Sequence, residues 1–221
     1  MHFHLPKPLH GWREFVGEIA IIVVGVLIAL GAEQVVQTVH ERGDLARVRG
    51  ALRGELADDR ARWEDMRLQD PCTVSRMDAI DNWLRSAPVG ERLPDAFPIV
   101  LWNMHSSAWD IAKTSPAAAH IPLTERLTYA SLFAATDNWR DLLMSERNNG
   151  QTIGALLATA DQAENRRQIP LYLARARILL RFRQLNYRYF FTRFDELAIR
   201  PDRSQLTIAE DPQLLCKPLA S

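Results

Sequence analysis

Cys72 and Cys216 are the only thiols in the sequence. Lying 144 residues apart, they form neither a C-x-x-C redox pair nor a closely spaced zinc-ligand set. A disulfide or two separate thiols remain, and the compartment decides between them, because disulfides persist in the periplasm and are rare in a reducing cytosol. His2, His4 and His10 crowd the N-terminus, but no carboxylate or thiol stands near them to complete a metal site. No metal and no cofactor is therefore expected. Trp109 and Asp110 could line a ligand pocket, the indole as wall and the carboxylate as polar contact; the plainer reading packs Trp109 and pairs Asp110 with Lys113. Gly-x-Gly-x-x-Gly, P-loop, Gly-x-Ser-x-Gly and His-Glu-x-x-His patterns are all missing, so no catalytic residue is assigned.

Cationic chemistry concentrates between Arg166 and Arg200, where nine arginines face only Asp195 and Glu196. Arg177, Arg181 and Arg188 make a stripe that could bind an anion, and aromatic residues interleave with them as single-stranded nucleic acid binding requires. Tyr172, Phe182, Tyr189, Phe190 and Phe194 also suit the inward face of a long helix, with the arginines paired to acids elsewhere. An anionic envelope partner such as lipid phosphate is a third reading. Over the whole chain 27 basic residues balance 27 acidic ones, so no general field draws the protein to nucleic acid, and no such partner is expected. Glu55, Asp58, Asp59, Glu64 and Asp65, interspersed with Arg53, Arg60, Arg62 and Arg67, read as a salt-bridged exposed helix face.

The elements that carry these groups follow from length and hydrophobic pattern. A chain of 221 residues with 47% apolar and 24% charged residues suits one globular domain with an appendage. Phe15 to Val36 would span roughly 33 Å as a helix, enough for a bilayer core. Trp12 and Arg13 supply an interfacial aromatic and a snorkelling cation at its entry. Its strictly uncharged part, Ile19 to Ala32, is only 14 residues long, so a cleaved signal peptide or a buried soluble helix competes. Helical periodicity running on through Val35, Val39, Leu45, Val48, Leu52 and Leu56 favours an intact single-pass helix. Within it Glu18, Gly25, Ala29 and Ala32 share one stripe, a candidate face for association with a second copy or another membrane protein.

Gly17-Glu18-Ile19 followed by Val24-Gly25-Val26-Leu27-Ile28-Ala29-Leu30 resembles the N-terminal signature of an uncharacterised bacterial family of short single-pass membrane proteins. The stretch Ser107-Ala108-Trp109-Asp110-Ile111-Ala112-Lys113, with the region around Tyr129, is similar to a Ser-x-Trp-x-x-Ala segment in proteobacterial members. The resemblance implies a membrane anchor on a helical domain and no established activity.

Beyond the span, residues 37–67 read as helix, and Asp70-Pro71 as an N-cap and N1 pair opening a separate helix to about Arg85. Pro88, Gly90, Pro94 and Pro98 mark a connector, and Ile99 to Met104 is read as helix. A helix over Ser106 to about Lys113 follows, then one from Pro122 to about Glu164 with a break or kink at Asn148-Asn149-Gly150, then one from Ile169 to Ile199. The expected fold is all-α: a transmembrane helix continuing into an irregular antiparallel bundle, with a tail over 1–14, the span over 15–36, the bundle over 37–200 and a C-terminal tail over 201–221. The expected protein is a membrane-anchored envelope protein of the bacterial inner membrane that acts as an interaction or structural module with the lipid bilayer as a partner. A periplasmic ligand-sensing or hydrolytic domain with its pocket near Trp109 is the alternative. The basic residues after the span favour a cytoplasmic domain, but long domains translocate regardless of such charges, so a periplasmic domain with a Cys72–Cys216 disulfide is expected.

Overall fold

The structure is a computed structural model and describes residues 11–94, 96, 97, 102–204, 216 and 217. Among them there is no strand, and the architecture is all-α. The described residues form four helices, α1 (Gly11–Ser86), α2 (Ser107–Ala112), α3 (Leu123–Ala158) and α4 (Ala163–Glu196), with a 3-10 turn at Pro116–His120. The chain divides into two compact units, Met1–Arg47 and Val48–Ser221, and α1 contributes to both.

In the first unit α1 carries an 18-residue window of mean hydropathy 2.5, none of it buried. Ile21, Ile22, Leu27 and Ile28 are all exposed. The segment is long and apolar enough to cross a membrane.

In the second unit α1 runs straight through Pro71, so the expected helix start at Asp70 does not occur. A proline inside a helix removes one backbone hydrogen bond and costs about 3 kcal/mol. Packing outweighs that cost: Met66, Gln69 and Asp70 before the proline and Met77 and Ile80 after it lie on one continuous buried stripe. Asp70 is not a cap but a buried carboxylate, bound to the Arg183 guanidinium at 2.6 Å. Pro88 follows the end of α1, and Gly90, at φ +103°, turns the chain in a conformation that side-chain-bearing residues rarely adopt.

Helix α3 continues through Asn148-Asn149-Gly150, because Asn149 and Gly150 are buried and Asn149 donates its side-chain N–H to the Tyr172 carbonyl at 3.0 Å. It ends about six residues before the expected boundary, in a short turn over 159–162 that reverses the chain into α4. Helix α4 begins at Ala163, ahead of Pro170, instead of at Ile169. Residues 102–106 form no regular secondary structure, and Ile99 lies outside the described residues.

Two buried clusters hold α1, α3 and α4 together. Trp63 stacks on Phe190 with ring centroids 4.1 Å apart and meets Trp139 and Tyr187 edge-on. The other cluster joins Met77, Ile80, Ile153, Leu157, Ile169, Leu173 and Leu180, with Leu93 tied in by its N–H to the Leu157 carbonyl at 3.0 Å.

Candidate functional site

The acidic stretch of α1 is not the solvated face its pattern suggested. Asp59 is fully buried, and Arg62 nearly so. Glu55 accepts from the Ser107 hydroxyl at 2.6 Å and from the Ala108 N–H at 3.0 Å, while Asp59 accepts from the His105 N–H at 3.2 Å and from Arg62 at 3.1 Å. One helical turn apart, these two carboxylates fasten residues 105–108 to α1. From the other side, Ser106 donates to Asp137 at 2.7 Å, and Arg140 donates to the Ser106 hydroxyl at 3.0 Å. This irregular segment is thereby pinned between α1 and α3, and side chains at 102–105 form one wall of a cavity.

That cavity has a volume of about 560 Å³ and lies between α1, α3, α4 and the segment at 102–105. Drug-sized ligand sites span about 300–1,000 Å³. Trp102, Met104, Leu143, Met144, Leu179 and Leu180 give it apolar walls, and Gln69, Asn149, Glu146, Arg147 and Arg183 give it polar ones. Arg183 sits buried on α4 and is bound to Asp70 and Glu146. Burial opposes its charge, but the two carboxylates outweigh that and hold its pKa above the ordinary arginine range. Burial in turn raises the Glu146 carboxyl above its usual value, against the pull of Arg183.

Asp59 is pushed up to about 7 by burial, against the lowering effects of the His105 N–H and Arg62. Burial, with Arg62 next, lowers the His105 imidazole. An acid that titrates near neutrality suits proton transfer. With no exposed surface, however, Asp59 meets no substrate, and its work is to position the wall. Among the described residues no group of three or more His, Cys, Asp or Glu side chains is placed to hold a metal ion.

The residues singled out from the sequence fall elsewhere. Trp109 and Asp110 do not line the cavity: Trp109 stacks on Phe133 at 5.8 Å, and Asp110 pairs with Lys113 at 2.7 Å. The arginine stripe is split, since Arg177 binds Asp78 and Asp81 at 2.9 and 2.6 Å while Arg181 and Arg188 are exposed. The inward face of α4 holds Phe190 and Phe194, as expected, but Phe182, stacked on Trp139, and Tyr189, edge-on to Phe190, stay partly exposed. With Leu171, Ile178 and Leu185 they form an exposed apolar stripe at spacings of three, four and seven residues. Glu18, Gly25, Ala29 and Ala32 are exposed on α1, and nothing lies within 4 Å of a Cβ added at Gly25. Cys72 and Cys216 are joined as a disulfide with Cα atoms 4.7 Å apart, inside the roughly 7 Å limit for such a bond. His2, His4 and His10 lie outside the described residues.

Sequence reasoning missed the polar cavity residues. Arg183 carried a signal: it occupies the inward register set by Leu180, Tyr187, Phe190 and Phe194, where an arginine needs buried carboxylate partners. Gln69 and Asn149 carried none, because nothing in a sequence distinguishes a buried amide from an exposed one. The chain matches no family model, no curated protein and no solved structure.

Proposed function

We propose that this is a single-pass protein of a bacterial inner membrane that holds its helical unit in the periplasm and acts there by binding, as an interaction module. The observation that carries the reading is the unburied apolar window of α1. Left in water, such a surface costs about 25 cal/mol per Å², whereas a bilayer core removes that cost. The resemblance of Gly17 to Leu30 to a single-pass membrane signature supports the same reading. Glu18, Gly25, Ala29 and Ala32 are the face through which the span meets a second copy or another membrane protein. The Cys72–Cys216 bond supports the oxidising side of the membrane.

The exposed stripe of α4 supports action by contact. Arg181 and Arg188, exposed along one edge of it, fit a partner helix whose apolar face is bordered by carboxylates. The test is made on the full-length chain with a reporter after Ser221 and a photo-crosslinker at Leu185. We expect carbonate-resistant membrane retention, periplasmic reporter activity, and a crosslinked adduct that disappears when Arg181 and Arg188 are both changed to Glu. Recovery in the soluble fraction or cytoplasmic-only reporter activity would overturn the membrane reading, and an adduct indifferent to the charge reversal would overturn the contact reading.

A further inference from the structure

We propose that the cavity between α1, α3 and α4 is a binding site for a small monocarboxylate with an apolar body. Every lining residue belongs to the unit from Val48 onward, so the proposal stands apart from the membrane reading.

The unengaged donors of the lining point to the ligand. Arg183 is matched by Asp70 and Glu146, and Arg140 by Asp137 at 3.1 Å. Arg147 is half-buried at the cavity and makes no ion pair or hydrogen bond among the described residues. Three arginines and three carboxylates balance in number, but Asp70 and Glu146 both engage Arg183, so Arg147 is the guanidinium whose donors are left for an acceptor on the occupant. A guanidinium also matches a carboxylate in shape, with two parallel N–H donors for two oxygens.

Hydrogen-bonding capacity is left over on the same walls. The Gln69 side-chain N–H₂ and the Arg183 Nε–H are buried donors without a partner, and the Asn149 side-chain oxygen and one Glu146 oxygen are buried acceptors without one. Gln69, Asn149 and Arg183 are each more than nine-tenths buried. An unmet buried polar group costs roughly 1–3 kcal/mol, and four of them on the residues of a single cavity mark a place where an occupant can recover that loss through small side-chain rotations. A carboxylate answers the two donors, Gln69 and Arg183, and leaves the two acceptors to other donors. The remaining wall, with Trp102, Met104, Leu143 and Leu179, offers nothing to a hydrated inorganic anion and much to an aliphatic or aromatic body.

The test uses the full-length chain in lipid nanodiscs, with empty nanodiscs as the blank. Titration calorimetry compares 4-phenylbutyrate and indole-3-butyrate with 4-phenylbutan-1-ol, 4-phenylbutylamine and inorganic phosphate. We expect saturable binding of the two carboxylates, with the alcohol and the amine weaker by on the order of tenfold or more and no binding of phosphate. Arg147→Gln should cost a similar factor while Arg200→Gln, outside the lining, leaves the affinity unchanged. Ala176→Phe, which fills the cavity, should abolish binding with the helical circular dichroism intact. No saturable binding of either carboxylate would sink the proposal, as would equal affinity for the alcohol or unchanged affinity in Arg147→Gln. The ligand comparison needs no variant, so it decides even if Ala176→Phe fails to fold.

Discussion

Asp59 has its carboxyl held protonated further up the pH scale than the usual aspartate, and this ties stability to pH. Its value in the fold is about 7, against 3.8 for the ordinary group, and burial is the first cause. Between those values the folded state binds the proton that the unfolded state has released. The contribution to stability is therefore complete below the ordinary value and is lost as pH rises through about 7. Glu146, also raised by burial, acts in the same direction. His105, whose pKa is lowered by burial, opposes them as pH falls through the imidazole range. Asp59→Asn keeps an acceptor for the His105 N–H and removes the proton, so comparison with the parent isolates the aspartate. We expect urea denaturation to show the parent gaining stability relative to Asp59→Asn on going from pH 7 to pH 5, by on the order of 1 kcal/mol per pH unit. A difference between the two proteins that does not change with pH would refute the assignment.

Arginines close the helix ends in the second unit. Arg53 donates to the carbonyls of Leu197 and Ala198 at 2.7 and 2.9 Å, and Arg60 to that of Ile199 at 2.7 Å, all at the end of α4. Arg166 does the same for α1, donating to Leu84, Ala87 and Pro88 while lying over the Trp83 ring at 4.8 Å. Positive charge is favourable where a helix exposes its last carbonyls. The turn after α4 carries a cost that the arginines do not remove. Ala198 sits at φ +50°, with its N–H bound to the Asp195 carbonyl and the Ile199 N–H bound to the Phe194 carbonyl, both at 2.9 Å. These are the two bonds of a Schellman ending, whose left-handed position favours glycine. Ala198 is exposed, so its methyl group contributes little packing. Ala198→Gly should raise stability by up to about 1 kcal/mol in thermal or urea unfolding, and a loss of stability would show that the left-handed turn does not form. The sequence identified α2 and the course of α3 and α4 to within a turn or two, because their apolar residues recur at helical spacing. It misread Asp70-Pro71 as a helix start and Asn148-Asn149-Gly150 as a break or kink because local propensity there is weaker than the tertiary packing on either side. The same limit hid the cavity: Trp109 attracted notice by its type, whereas Gln69 and Arg183 matter through burial that only the assembled helices create.

At the scale of the whole chain, the Cys72–Cys216 bond closes a covalent loop whose ends lie 144 positions apart in sequence. Cys72 lies on α1 immediately after Pro71, and Arg76, one turn further on, donates to the Lys217 carbonyl next to Cys216. Cys216 and Lys217 are thus held to α1 by a covalent bond and a hydrogen bond on one helix face. In the chain-entropy account a loop of this length restricts the unfolded state enough to contribute about 5 kcal/mol, and strain or residual structure lowers that figure. Reduction, or Cys216→Ser, should therefore lower the unfolding temperature of the full-length chain by several degrees without loss of helical signal at 25 °C. The bond also reports on the compartment. In growing cells the two cysteines of a domain displayed outside the cytoplasm should resist a thiol-reactive polyethylene glycol maleimide until a reductant is added, and both should then shift on a gel. Full labelling without reductant would show two thiols facing a reducing cytosol, and the periplasmic placement would fall with the bridge.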